Sequence, residues 1–342
     1  MPDEIRKTHL KKQLTDPFGR HISYLRLSVT DRCDLRCTYC MAENMTFLPK
    51  KDILSLEEMV TLCDAFIQRG VKRIRLTGGE PLVRKGIDWL LPQLGDRLQA
   101  GLLEELTLTT NGTQLTKFAP LLYQSGVRRI NVSLDSLNPD LFARITRRNQ
   151  LEDVLKGIQA AKDAGLQVKI NTVAQKGVND QELSDIFNWC MREGLDLTLI
   201  ETMPMGDVSG SREDTYFPLS DVVDTLKTNF TIEPTTYRTG GPARYYSVAG
   251  TEQKLGLITP LSRNFCDGCN RVRITCTGRI YMCLGQDDHV DLMQAMRSDS
   301  SGESLDNLLD TAMGLKPKGH DFSMKNGKMT GKVSRHMSHT GG

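Results

Sequence analysis

Six short runs of β-branched and aliphatic residues recur through the first two-thirds of this chain: LRLSVT (Leu25 to Thr30), KRIRLTG (Lys72 to Gly78), LTLTTNG (Leu106 to Gly112), RINVSLDS (Arg129 to Ser136), VKINTV (Val168 to Val173) and LTLIETM (Leu197 to Met203). Each run has the length and residue types of a strand. Between them, apolar residues recur at helical spacing. In SLEEMVTLCDAFIQRG, Ser55 and Glu58 stand at the spacing of a capping box and Gly70 marks the stop; LEDVLKGIQAAKDAG ends in the same way at Gly165. Strand and helix in alternation, joined by short loops, require parallel strands and right-handed crossovers, hence a barrel or a doubly wound sheet.

The strand ends favour the barrel. Every run finishes in polar residues or glycine: Thr30, Thr77 to Glu80, Thr109 to Gly112, Ser133, Asn171 with Thr172, and Glu201. In a barrel these ends share one cavity, where such folds keep their chemistry. The expected fold is α/β, an incomplete six-unit barrel over residues 21–230 after an N-terminal extension, 1–20. From about Thr231 the pattern shifts to short strands and tight turns (YRTGGPARYYSV, KLGLITP, RVRITCTGRIYMCL), a smaller β-rich region over 231–315 expected to close the barrel. Residues 316–342 are poor in large aliphatics and are expected to form a tail.

A core of ordinary size is within reach of 342 residues that are 39% hydrophobic and 25% charged. Forty-four Lys and Arg against 42 Asp and Glu leave +2, too balanced for a chain that coats nucleic acid or an acidic membrane. No run reaches the roughly 18 apolar residues of a membrane span. The start, MPDEIRKTHLKKQ, lacks the apolar stretch of a secretory signal, so a cytoplasmic location is expected. An odd nine cysteines argue for metal or catalytic thiols over a disulfide framework.

Cys33, Cys37 and Cys40 form C-x-x-x-C-x-x-C just after the first strand. Chance alone gives such a triplet on the order of 0.006 times in a chain of this composition, so scattered packing thiols explain it poorly. Three soft thiolates suit zinc or an iron–sulfur cluster. Structural zinc wants four protein ligands, and no His lies between Asp31 and Leu54. A four-iron cluster with one iron open accounts for the missing ligand.

With Tyr39 as the aromatic residue before the third cysteine, and Gly78-Gly79-Glu80-Pro81 after the second strand, the chain resembles the radical S-adenosylmethionine superfamily. The resemblance implies a 4Fe–4S cluster on Cys33, Cys37 and Cys40 whose open iron chelates S-adenosylmethionine, and reductive cleavage to a deoxyadenosyl radical. It also places Tyr39, Gly79, Ser133 and Met203 around that cofactor.

A second triplet lies in the β-rich region: Cys266, Cys269 and Cys283, with Cys276 between. A four-thiolate zinc site competes here. RVRIT-CTG-RIYMC reads as a hairpin with Cys276-Thr277-Gly278 at its tip. Pairing Thr275 with Arg279 puts Cys283 opposite Arg271, beside Cys269, and leaves Cys276 roughly 20 Å from Cys269 at strand rise. Again three thiolates converge and one iron is left open.

The run Phe265-Cys266 to Cys269-Asn270-Arg271, then Arg273, Thr275, Gly278 and Cys283, together with LTGGEPLVR, NVSLDS, GPARYY and the final Gly341-Gly342, resembles the GTP 3′,8-cyclase family of molybdenum cofactor biosynthesis. The resemblance implies that Arg26, Arg75, Thr109, Lys169, Arg271, Val272 and Arg273 hold GTP, that a second 4Fe–4S cluster meets its guanine, and that Arg26, Gly341 and Gly342 take part in catalysis. The implied partners are GTP, an external electron donor and the next enzyme of the pathway, which takes the cyclised nucleotide; monomer or homodimer both fit.

Read from residue type alone, each of these cations is as well explained as a surface charge. On composition the Gly-Gly tail reads as a frayed end; the resemblance at RHMSHTGG implies instead that it enters the barrel. Cys63 and Cys190 fall in helical patterns and read as packing thiols. Thr198 departs from the family, many of whose members carry Arg there. No P-loop is present, so a triphosphate would be held by side chains. Two further functions compete: a two-cluster electron carrier, which would not need GGEP, and a radical enzyme acting on a peptide or another small molecule.

Overall fold

The computed structural model describes residues 11–206, 211–263, 265–331 and 333–341. The six expected runs form β1 (Tyr24–Ser28), β2 (Arg73–Thr77), β3 (Glu105–Thr110), β4 (Arg129–Ser133), β5 (Gln167–Ala174) and β6 (Asp196–Glu201), all parallel and in sequence order. The helices between them lie on one face of the sheet. Ser55 and Glu58 close the capping box on Leu56–Gln68, which buries Met59, Leu62, Cys63, Phe66 and Ile67. Each such side chain removed from water contributes about 1.5–3 kcal/mol, so the apolar stripe, not helix propensity, holds the helix in place.

Sidedness follows the two-residue period of a strand. Leu25 and Leu27, Ile74 and Leu76, Ile130 and Val132, and Leu197 and Leu199 all pack into one core beneath the helices. The alternate positions face inward, where Arg26, Arg75, Asn131 and Lys169 line a cavity.

The β-rich region does not stack on the barrel as a separate layer. Its strands β7 (Ile232–Pro234), β8 (Arg244–Val248), β9 (Lys254–Ile258), β10 (Arg271–Ile274), β11 (Arg279–Tyr281) and β12 (His289–Asp291) join the same sheet at both edges, in the order β12-β11-β10-β1-β2-β3-β4-β5-β6-β9-β8-β7. β10 runs parallel to β1, and β9 parallel to β6. An exposed parallel edge offers unpaired backbone groups, and these additions cover both. Eight strands are therefore parallel, and among the described residues β7 and β12 are left unpaired with each other, so the barrel stays open.

The hairpin register is the expected one. Arg273 pairs with Tyr281 and Ile274 with Ile280, and the Thr275 amide donates to the Arg279 carbonyl at 3.0 Å. No helix among the described residues is long and apolar enough to cross a membrane.

The segment after Lys316 is folded, contrary to what its composition suggests. Phe322 and Val333 bury against Met205, with Met203, Leu261, Leu284 and Met337 around them. A hairpin of β13 (Ser323–Lys325) and β14 (Lys328–Thr330) precedes a bridge between Val333 and Met205. Arg335 then donates to the carbonyls of Leu284 and Gln286 and to Asp287. A handful of apolar contacts and one arginine staple suffice because the barrel end supplies the rest of the surface.

Candidate active site

Both cysteine triplets open onto a single cavity that runs through the barrel. Cys33, Cys37 and Cys40 sit in the loop after β1, at the C-terminal ends of the parallel strands; Cys269 lies two residues before β10, whose first residue, Arg271, pairs with Tyr24 at the other end of β1. The two triplets thus occupy opposite ends, separated by the length of β1, about 13 Å for four residue steps. Cys276 lies at the hairpin tip, at the first triplet's end, buried with its carbonyl accepting from the Leu54 amide at 2.7 Å.

The first loop is held by backbone. Arg36 and Thr38 donate to the carbonyls of Thr146 and Ile145, and the Cys40 amide to the carbonyl of Cys37. The GGEP turn presses on it: the Gly79 amide donates to Thr30 at 2.9 Å, the Glu80 amide to Arg32 at 2.8 Å. A methyl group at Gly78 or Gly79 would overlap the carbonyls of Thr30 and Arg32, and Gly78 has φ of +144°. Glycine is therefore required at both positions for this close approach. Glu80 is buried and accepts from Leu82, Thr110 and Asn111, with burial pushing its pKa up to about 8. Tyr39 is locked by donating to Asp135 at 2.6 Å.

One thiol sets the two triplets apart, since burial raises Cys266 and Cys283 as it does the first three. Burial pushes the thiols of Cys33, Cys37 and Cys40 up, and the carboxylates of Glu80, Asp34 and Asp135 add to this. At the other end, burial also opposes ionisation of Cys269, but the adjacent Arg271 and Lys316 outweigh it and bring the thiol down to about 7. No three His, Cys, Asp or Glu side chains among the described residues are grouped as ligands of a single metal ion. Among the described residues, the first end offers three soft thiols, and the second offers three with His320, both of whose ring nitrogens are buried without a partner, lining the same cavity. Three thiols alone fit a cluster with an open iron better than a four-ligand zinc site.

Between the triplets the lining is cationic. Arg26, Arg75, Arg129, Lys169, Arg271 and Arg273 face one cavity, against one lining carboxylate, Glu201. Glu201 is already engaged by Ser262 and the amides of Leu261 and Ser262. Arg129 pairs with Glu105, and Arg75 donates to Tyr24 and Thr109. Burial first, then Arg273 and Arg75, push the Arg26 pKa well down, and its buried Nε has no hydrogen-bond partner. Lys169 is brought down to about 7, by burial and then by Arg75 and Arg129. So much positive charge facing one cavity, with so little compensation, calls for a polyanion. Asn131 Oδ1, Asn171 Oδ1 and Thr202 Oγ1, also lining the cavity, are buried without partners. Such atoms are costly unless a ligand satisfies them.

Of the residues named from sequence, Tyr39, Gly79, Ser133, Met203, Arg26, Arg75, Thr109, Lys169, Arg271, Arg273 and all six cysteines line this cavity. Val272 does not; its side chain is in the core under the helices, leaving only its backbone for a ligand. Gly341 is buried against the end of β2, with its carbonyl accepting from Arg273 Nη1 at 3.4 Å. Gly342 lies outside the described residues. Thr198 is fully buried, paired with Gly256 on β9, and is absent from the lining.

Sequence reasoning missed Arg129, Asn131, Asn171, Tyr24 and Tyr245. Period-two alternation along β4 could have found the first two, since Arg129, Asn131 and Ser133 share one face. Tyr245 carried no such signal. Its hydroxyl reaches Lys169 Nζ at 3.1 Å only because β8 returns to the far edge of the sheet.

Two family profiles match the chain, the Radical SAM superfamily over residues 27–190 and Molybdenum Cofactor Synthesis C over residues 195–322. A GTP 3′,8-cyclase of Rhizobium meliloti (strain 1021) is 59% identical over 329 residues, covering 96% of this chain and 94% of that one. The GTP 3′,8-cyclase of Mesorhizobium japonicum is 58% identical over 96% of this chain and 99% of its own. Among solved structures, Streptococcus suis SuiB bound to S-adenosylmethionine superposes with a TM-score of 0.58 at 17% identity, over 91% of this chain and 70% of that one. At that identity the likeness concerns the fold alone.

Proposed function

We propose a division of labour among these residues on the premise that the chain belongs to the GTP 3′,8-cyclase family, within the radical S-adenosylmethionine superfamily. It is a lyase that converts GTP to 3′,8-cyclo-7,8-dihydroguanosine 5′-triphosphate, the first step of molybdenum cofactor biosynthesis. When bound, the first 4Fe–4S cluster and S-adenosylmethionine supply a deoxyadenosyl radical able to take hydrogen from the ribose of GTP.

Cys33, Cys37 and Cys40 would hold that cluster, with Tyr39, Gly79, Ser133 and Met203 placing the cofactor beside it. Cys266, Cys269 and Cys283 would hold a second 4Fe–4S cluster whose open iron meets the guanine. Arg26, Arg75, Lys169, Arg271 and Arg273 would clamp the triphosphate, Arg through bidentate, permanently charged donors and Lys as a point charge, with Thr109 and the Val272 backbone beside them. The cation-lined barrel presents these donors already in place for the charged substrate. Arg26 and the Gly341–Gly342 tail would support the radical step. The observation that carries this reading is the row of cations lining one cavity between two thiol triplets.

The rest of the setting follows as expectation: residues 21–230, 231–315 and 316–342 as barrel, second-cluster region and tail, an external electron donor, a following enzyme that takes the cyclised nucleotide, a monomer or homodimer, and the cytoplasm.

Anaerobic reconstitution with iron and sulfide, then incubation with GTP, S-adenosylmethionine and a strong reductant, tests the reading. Formation of the cyclised triphosphate supports it, whereas cofactor cleavage with GTP left unchanged would overturn it.

A further inference from the structure

Lys316 lies just beyond the helix Glu303–Gly314 and is only 3% exposed. An ammonium has three N–H donors, and here three acceptors meet it: the Arg271 carbonyl at 3.0 Å, the Met282 carbonyl at 2.6 Å and Cys269 Sγ at 3.8 Å. Arg271 begins β10, two residues after Cys269; Met282 follows β11 and directly precedes Cys283. One cation therefore ties together the two arms of the hairpin that carry two of the three thiols. A buried lysine is expensive to keep, and with no carboxylate among these three partners its charge falls largely on the sulfur.

The first triplet is set differently: the neutral amide of Asn111 donates to Cys33 Sγ at 3.7 Å, and while the Arg212 charge favours the Cys40 thiolate, the buried carboxylates of Glu80 and Asp135 oppose ionisation of Cys33 and Cys37. Charge and hydrogen bonds at the sulfurs are what tune an iron–sulfur cluster's potential: cations nearby favour the reduced form, anions disfavour it.

We propose that Lys316 is a positioning residue of the second thiol site, clamping the arms that bear Cys269 and Cys283 and, by its charge, making the cluster held there easier to reduce than the first. This rests on the reading that Cys266, Cys269 and Cys283 hold an iron–sulfur cluster.

The test uses the full chain with Cys33, Cys37 and Cys40 changed to Ala, reconstituted anaerobically so that only the second site is loaded. It compares that parent with added Lys316→Gln, which keeps N–H donors without charge, and Lys316→Arg, which keeps the charge. Iron content and an EPR-monitored potential titration are the readouts. The expected result is about four irons in the parent, a lower midpoint potential in Lys316→Gln, and a potential near the parent's in Lys316→Arg. A chain with Cys266, Cys269 and Cys283 changed to Ala, carrying only the first cluster, should titrate below the parent. No iron in the parent would overturn the cluster reading itself. Full loading with an unchanged potential in Lys316→Gln would overturn the role of Lys316 alone. If Lys316→Gln fails to fold, Lys316→Arg still decides: loss of iron in a folded Lys316→Arg chain would overturn the charge clamp.

Discussion

Arg26 and Arg273 stand directly opposite one another on neighbouring parallel strands, Arg273 buried and Arg26 half-buried, both facing the barrel cavity. Adjacent strands lie about 4.8 Å apart. Arg75 pairs with Arg26 on its other side, so three guanidinium groups share one row across the sheet. Folding tolerates this repulsion only because the rest of the barrel is so well packed, and a bound triphosphate would turn the same row into a clamp.

That arrangement predicts effects of opposite sign. Arg26→Ala or Arg273→Ala should reduce GTP affinity at least tenfold, since losing one partner of a buried charged hydrogen bond costs about 2–5 kcal/mol of binding. The ligand-free protein should melt at the same temperature or higher, because an uncompensated buried charge has been removed. Calorimetric titration with GTP and thermal melts check both. Unchanged affinity would return these arginines to a structural role.

Lys169 predicts a pH dependence. Its pKa in the free protein is lowered to about 7 by burial and by Arg75, Arg129 and Arg26, opposed by Asp196, while the Tyr245 hydroxyl contacts its Nζ. The charged form is present below pH 7 and is lost as pH rises through it. A triphosphate favours the charged form, so binding at pH 8 should draw a proton onto Lys169, and binding at pH 6 should not. Affinity should therefore fall as pH rises through about 7. Titrations at pH 8 in two buffers of different ionisation enthalpy would reveal the proton, and Lys169→Arg should abolish it.

Gly341 predicts a tail phenotype. Its φ is +69°, and a methyl group there would overlap the side chain of Thr77. Gly341→Ala should displace the tail from the end of β2 while leaving both thiol sites and GTP binding intact. Product formation should drop about tenfold or more, a barrier change of roughly 1.4 kcal/mol, and deletion of the last two residues should do the same. Product chromatography alongside iron analysis and limited proteolysis of the tail makes the comparison. Full activity in both variants would reduce the tail to packing.

The cysteines predict a separation of roles. Iron analysis should give about eight irons per chain in the parent and about four when either triplet is removed, as two four-iron clusters require. Cys37→Ala should abolish S-adenosylmethionine cleavage, and Cys269→Ala should impair GTP cyclisation more than cofactor binding. Cys276→Ala should keep all the iron, because its thiol is buried at the hairpin tip beside Leu54, away from Cys269 and Cys283.

The strand and helix order was legible because local rules govern it: a two-residue period for strands, a 3.6-residue period with caps for helices, and a hairpin whose three-residue loop sets the pairing of Thr275 with Arg279. The triplets Cys33-Cys37-Cys40 and Cys266-Cys269 were legible for the same reason, since short loops bring near neighbours together whatever the rest of the chain does. Tertiary structure decided what depends on distant returns of the chain. That β10 lies beside β1, and so lines up Arg273 with Arg26, is a register between residues nearly 250 positions apart, which no local pattern encodes. The same holds for Tyr245 on Lys169, Lys316 on Cys269, and Gly341 on Thr77. The tail shows the contrast most clearly: the segment after Lys316 is poor in large aliphatics, and it is placed where Phe322 and Val333 pack against Met205 at the barrel end.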